Sequence, residues 1–269
     1  MPGPRRTSYE RYVAIGDSST EGLDDPDGLG GYRGWANRLA ERVAAHQGGL
    51  LYANLAVRGL TTRQVRQLQL ARAVAMRPEL ATVFAGTNDV VARGFDPEEV
   101  ACEIETMQRE LVESGATVLT FTLPDLTPVM PLARLLVSRV LALNAAIRDA
   151  SARAGAVLVD IAAHPVASDP RLWSDDRLHA NAAGHARIAQ ALAHALGIPG
   201  SDDGWSRPLP PASPLGIAGR VRAEVSWSRR HLLPWVWRSL RGHSSSHGRS
   251  PKRPELAPVE RAPVGQGPY

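Results

Sequence analysis

The chain has 269 residues, 43% of them hydrophobic, enough for one large domain or two small ones with a sizeable core. Its formal charge of +4 is unevenly spread: Ser201 onward holds eleven Arg or Lys against five Asp or Glu, and the first 200 residues twenty against twenty-two. The basic character therefore belongs to the tail, which leaves no footprint for nucleic acid over the main body; no window holds 18 consecutive apolar residues, so no membrane span is expected.

Residues 1–10 carry arginines but no apolar run or cleavage site of a secretory signal, so a flexible N-terminus and a cytoplasmic location are expected. Tyr12 to Gly22 then reads as a buried strand, with β-branched Val13 and Ile15, running into a turn that carries Ser18. Asp24 to Gly34, rich in glycine and aspartate, is an irregular loop, and Trp35, Leu39 and Val43 mark a helix beyond it. A second strand, Leu50 to Leu55, ends near Asn54 and leads through Gly59 to Thr61 or Thr62, either of which could cap the next helix.

Leu80 to Ala85 forms a third strand, closed by Gly86. Asp96-Pro97-Glu98-Glu99 is a helix start with Asp96 at the cap and Glu99 placed for a capping box. The lone cysteine, Cys102, lies in that helix, where it reads as a buried inert thiol; it excludes an intramolecular disulfide and a multi-cysteine metal site. Thr117 to Thr122 is a fourth strand. Leu132, Leu135, Leu136, Arg139, Val140, Leu143 and Ile147 predict one long amphipathic helix, followed by a fifth strand at Val157 to Ile161 and a last helix at Ala182 to Leu196.

Strands alternating with helices predict an α/β domain over residues 11–200, a three-layer α/β/α sandwich on a five-stranded parallel sheet. The carboxyl ends of parallel strands share one edge, so turns about thirty to forty residues apart, at Ser18, Gly59 and Asn88, should meet in one cleft. Residues 201–269 form a basic extension that holds ten of the 21 prolines and reads as disordered from residue 244. Residues 217–240, with Trp227, Trp235 and Trp237 among arginines, read as partly helical. Such a segment either lies back on the domain as a helix or loose arm, or touches an anionic membrane or a partner protein.

Four blocks carry chemistry: Gly16-Asp17-Ser18, Asn54 to Gly59, Gly86-Thr87-Asn88-Asp89 and Asp176-Arg177-Leu178-His179. A serine hydroxyl is a weak nucleophile until a base takes its proton, which makes Ser18 and His179 natural partners, with Asp176 to orient the imidazole. His185 and His164 compete for the base, and Asp175 for the orienting role. Asp17 and Asp89 are read as fixing their turns, and Asn54 as tying the second block to the first.

These four blocks resemble the SGNH, or GDSL-like, hydrolase family, from about Tyr12 to about Leu196. The family's four invariant residues have counterparts in Ser18, Gly59, Asn88 and His179. The resemblance implies a flavodoxin-like fold and a serine hydrolase that cleaves acyl or acetyl esters through an acyl-serine intermediate. It also implies an oxyanion hole built from the backbone N–H of Ser18, the backbone N–H of Gly59 and the amide of Asn88. Ser19 stands where the motif has leucine, and Ala56 where a second glycine is often found.

The partner is then a small-molecule ester, with no metal and no cofactor required. Lysophospholipids, thioesters and acetylated carbohydrates all remain open as substrates, and the sequence leaves the oligomeric state undetermined. A catalytically silent binding module on the same fold is the alternative from another class. An α/β-hydrolase is disfavoured because Thr20 stands where its Gly-x-Ser-x-Gly elbow requires glycine.

Overall fold

The computed structural model describes residues 8–211, 224–232 and 248–259. Strand β1 (Arg11–Gly16) is buried from Tyr12 to Gly16 and runs directly into the short helix α1 (Ser18–Glu21). Helix α2 (Gly34–Gln47) follows the aspartate-rich loop, and β2 (Leu51–Asn54) lies parallel to β1 with Tyr12 beside Tyr52. Helix α3 (Thr62–Val65) passes through a π-helical stretch, Arg66–Leu70, into α4 (Ala71–Ala75). Its cap is Thr61, whose backbone N–H donates to Gln64 Oε1 at 3.0 Å.

Strand β3 (Leu80–Phe84) is wholly buried and is followed by α5 (Thr87–Val91) and α6 (Pro97–Glu113). Asp96 caps α6 by accepting from the N–H groups of Glu98 and Glu99, while the Glu99 side chain pairs with Arg63 and so leaves the box open. Then come β4 (Thr117–Phe121), α7 (Val137–Ala154), β5 (Val157–Val159) and α8 (Ala182–Leu196). Helix α2 packs on α8 and α6 on α7, giving the helical layers on either side of the sheet. Phe84 and Phe121 stack at 3.9 Å, with Trp35 edge-on to Phe121 at 5.3 Å, at the heart of the core.

The sheet has six strands, in the order β5-β4-β3-β1-β2-β6. Five are parallel, and the sixth, β6 (Arg253–Pro258), returns antiparallel along β2 with Leu51 opposite Pro258. For residues 248–259 this corrects the expectation of disorder from residue 244, the rest of which lies outside the described residues: low apolar content does not prevent a strand whose stability comes from backbone pairing to a preformed neighbour. Arg253 adds its guanidinium, 5.4 Å above the Tyr52 ring. Residues 201–211 also lie against the domain, through Trp205 edge-on to His164 at 4.5 Å and Arg187 donating to the Trp205 and Arg207 carbonyls at 2.7 Å. Residues 224–232 are helical; the rest of 217–240, including Trp235 and Trp237, lies outside the described residues.

Two local readings change. Cys102 is exposed, because the buried stripe of α6 runs through Ala101, Ile104 and Met107 and leaves position 102 on the outer face. The expected long helix is two elements: Pro131–Leu135 is a 3₁₀ turn with Leu135 78% exposed, and α7 starts beyond it.

Lys252, just before β6, is half-buried and donates to the carbonyl oxygens of Tyr32 and Arg33 at 2.8 Å each, which clamps the loop leading into α2. Burial pushes its ammonium down to about 8, against the pull of Glu21, Asp25 and Asp27. Replacing Lys252 by Met strands two carbonyls and should cost about 1–3 kcal/mol. In thermal unfolding, Lys252→Met should lower Tm by roughly 3–10 °C; an unchanged Tm would show that Lys252 does not clamp the loop.

Candidate active site

Gly16 ends β1 at a place only glycine fits, since a Cβ there would sit 2.2 Å from the Phe84 carbonyl oxygen. The Gln69 side chain holds both backbone groups of Gly16, accepting from its N–H at 2.8 Å and donating to its C=O at 2.9 Å. Asp17 caps α1 by accepting from the Ser19 N–H at 3.0 Å, so Ser18 is the first helical residue. Its backbone N–H is among those that find no partner within the helix, and its hydroxyl faces the cleft at the sheet edge.

His179 reaches that hydroxyl from the far end of the domain. Its Nε2 lies 2.8 Å from Ser18 Oγ, and its Nδ1 lies 2.6 Å from Asp176 Oδ2. The other oxygen, Asp176 Oδ1, accepts from the Leu178 N–H at 2.8 Å, the His179 N–H at 3.0 Å and Ser174 Oγ at 2.6 Å. Burial alone would raise the Asp176 pKa, yet the hydrogen bond and charge of His179, with Ser174 and the backbone donors, hold it well below the usual carboxylate range. For His179, burial works against charging, but the Asp176 hydrogen bond and charge outweigh it and raise the imidazole above its ordinary value.

The second and third blocks close around the same turn. Gly59 has φ of 78°, a left-handed conformation that suits glycine, and follows the Glu21–Arg58 ion pair, in which the Arg58 N–H also donates to Glu21 at 2.8 Å. Asn88 Nδ2 donates to the Leu60 carbonyl at 2.9 Å and lies 3.4 Å from Asp17 Oδ2. Asp89 accepts from both the N–H and the hydroxyl of Thr62 at 2.9 Å, which joins α5 to α3. Asn54 donates to the Thr20 carbonyl at 2.8 Å and accepts from the Ala56 N–H at 3.0 Å, a bridge between the first two blocks. Burial pushes Asp17 up to about 7, which weakens negative charge directly beneath the serine turn.

The rival groups lie elsewhere. His185 is fully buried, with Nε2 on the Leu23 carbonyl at 2.9 Å and Nδ1 accepting from the Trp35 N–H at 3.1 Å. His164 packs on Trp205, and Asp175 is exposed. Three residues around the site escaped the sequence reading. Gln69 looked like any helix polar residue. Ser174 Oγ sits 2.6 Å from both Asp176 and Asp24, and its single hydrogen can serve only one carboxylate at a time. Asp24, with φ of 64°, comes within 3.9 Å of His179 Nδ1, and only its place in a glycine-rich loop hinted at an unusual backbone.

Asp24, Asp176 and His179 place potential metal-ligand atoms within 4.8 Å of one another. A cation there would have to take Nδ1 away from Asp176, so the arrangement suits a proton-sharing pair better than a metal site. From Ser18 and His179 an apolar cleft of about 1260 Å³, including its open mouth, runs between Phe121, Val140, Ile161 and Val166. Leu123, Leu126 and Met130 of the loop after β4 contribute to it, and so does Trp205.

The sequence profile of the GDSL-like lipase/acylhydrolase family matches residues 14–187. No curated protein sequence matches the chain. Among solved structures, TesA is similar at TM-score 0.58 and 20% identity, over 70% of this chain and 98% of TesA. The psychrotrophic esterase EstA from Pseudoalteromonas sp., in a structure inhibited by monoethylphosphonate, aligns at TM-score 0.56 and 17% identity, over 70% of this chain and 97% of its own. A variant of Axe2, an acetylxylan esterase from Geobacillus stearothermophilus, aligns at 0.60 and 18%, over 76% and 99%. At these identities the likeness is one of fold.

His185 must stay neutral to keep both its bonds, and burial holds its pKa well below the ordinary value. The unfolded chain takes up a proton at this residue near pH ~6.5 and the folded chain does not, so its contribution is complete above that pH and lost as pH falls below it. Thermal melts should show Tm dropping between pH ~6.5 and ~5, and His185→Gln dropping less over the same window. Parallel curves for the two proteins would show that His185 is not the group responsible.

Proposed function

The chain belongs to the GDSL-like lipase/acylhydrolase family and is a hydrolase of ester bonds, and on that premise we propose that it cleaves carboxylic esters with apolar acyl groups through an acyl-serine intermediate. The observation that supports this reading most is the relay in which Ser18 Oγ lies 2.8 Å from His179 Nε2 while His179 Nδ1 lies 2.6 Å from Asp176. His179 takes the hydroxyl proton as Ser18 attacks the carbonyl carbon, and returns it to the departing alcohol. It then draws a proton from water, whose oxygen attacks the acyl carbonyl, and gives that proton to Ser18 Oγ as the acyl C–O bond breaks and the acid leaves. Asp176, kept ionised, fixes the imidazole tautomer and stabilises the imidazolium.

The tetrahedral intermediate needs donors where its oxygen becomes negative. The backbone N–H of Ser18, the backbone N–H of Gly59 and the Nδ2 of Asn88 are assigned that role. The bond from Asn88 Nδ2 to the Leu60 carbonyl at 2.9 Å uses one amide hydrogen, and the other, directed to Asp17 Oδ2 over a long 3.4 Å, is the one that would turn to the oxyanion. Burial, which pushes Asp17 up to about 7, lowers its negative charge near neutral pH, and that helps because a full carboxylate charge 3.4 Å from Nδ2 would oppose a developing anion.

The acyl group is assigned to the cleft lined by Phe121, Met130, Val140, Ile161 and Val166. Its side chains favour a hydrocarbon chain over a bare acetyl group on a sugar, because each buried methylene contributes about 0.8 kcal/mol. With p-nitrophenyl esters, kcat/KM should rise by up to about fourfold per added methylene from acetate until the cleft is full. A clear maximum at acetate would instead favour an acetylated carbohydrate.

Ser18→Ala should lower kcat by at least about a thousandfold with the fold intact, and Asn88→Ala by about a hundred- to a thousandfold. If wild type and Ser18→Ala hydrolyse the esters equally slowly, the protein is a binding module on this fold. Because His179 must be neutral to act as base and its pKa is raised, the acid limb of kcat/KM should have its midpoint above the ordinary imidazole value of about 6.5. A midpoint below it would contradict the assigned Asp176–His179 coupling.

A further inference from the structure

The turn that carries Asp176 and His179 is closed by its own hydrogen bonds, Ser174 N–H to the His179 carbonyl at 2.9 Å and Arg177 N–H to the Ser174 carbonyl at 3.0 Å, yet it keeps one residue in an uncommon conformation. Arg177, between them, has φ of 64°, a left-handed conformation that a residue with a side chain keeps only when its surroundings enforce it. What surrounds it comes from residues 224–232, beyond residue 187, where the family match ends. Trp227 is 7% exposed, and its indole N–H donates to the Asp176 backbone carbonyl at 3.1 Å. The Arg177 guanidinium lies 4.8 Å above the Trp227 ring, and its Nη1 meets Glu224 at 2.8 Å.

We infer that Trp227 is a positioning residue for the Asp176–His179 pair, a brace supplied by the C-terminal extension. Every acceptor of Asp176 then has a partner: its two carboxylate oxygens serve His179, Leu178 and Ser174, and its carbonyl takes the indole N–H. The stacked arginine fixes the residue whose backbone turns the chain from Asp176 toward His179. Freed from this contact, the turn can relax toward an ordinary conformation, which moves the carboxylate relative to Nδ1 while the substrate cleft keeps its walls. Trp227 is absent from that cleft's lining, so it acts on the chemistry through the turn that holds Asp176 and His179 and not by touching substrate. The inference rests on the roles proposed for Asp176 and His179.

The test uses the full-length chain with Trp227→Ala and Trp227→Phe; the second keeps a ring for Arg177 and removes only the N–H. In Trp227→Ala, kcat for p-nitrophenyl butyrate should fall about tenfold or more while KM stays within about twofold. The acid limb of kcat/KM should move to lower pH, because looser pairing with Asp176 withdraws what raises His179. Trp227→Phe should lie between the two. The far-downfield proton resonance of the His179 Nδ1–H should move upfield or broaden in the same order. A folded Trp227→Ala with wild-type kcat, pH profile and resonance overturns the inference, and if that variant does not fold, Trp227→Phe decides by the same readouts. Should the wild-type chain cleave no ester, the proposed activity falls but the resonance still judges the brace: displacement on Trp227 substitution upholds it, and no change overturns it.

Discussion

The hydrogen bond between Ser18 and His179 joins positions 161 residues apart, and most of the molecule can be understood as the means of closing that gap. Ser18 is fixed because β1 ends in a glycine that nothing larger could replace, and because Gln69 grips that glycine on both backbone groups. His179 is fixed because its loop leads into α8, whose cap residue Asn181 donates back to the carbonyls of Arg171 and Trp173. The parallel sheet brings the two ends to the same rim, and the side-chain bridges set the final approach.

Two carboxylates close to this rim meet opposite fates. Asp17 is completely buried with few donors, so the loss of water dominates and its pKa rises to about 7. Asp176 is also largely withdrawn from water, but an imidazole, a hydroxyl and two backbone N–H groups converge on it and keep it ionised. One fold thus places an acid only partly ionised near neutral pH beneath the nucleophile and a firm anion behind the base, and the difference comes from the number of donors each receives.

The sequence made the domain readable because its signals there are local. Val13 and Ile15 before Gly16, and Asp96 before Pro97, each announce an element through their immediate neighbours. The four blocks could be picked out because their residue types match what acyl transfer demands. What escaped was long-range: Gln69 reaching Gly16, Ser174 touching Asp24, Trp227 reaching Asp176. No spacing rule encodes such contacts, since each depends on where a separate element happens to dock. The tail misled for a related reason: Arg253–Pro258 has little apolar content of its own, and its order is borrowed from β2.

That borrowed strand has one further consequence. Without β6, strand β2 would be the open margin of the sheet, and a flat margin of unpaired N–H and C=O groups invites pairing with another chain. The strand that covers it contains Pro254 and Pro258, which have no N–H to offer a newcomer, and its first residue, Arg253, carries charge. The returning C-terminus therefore gives the sheet a boundary that resists self-association, and a chain lacking it should be prone to aggregate even where its catalytic rim is intact.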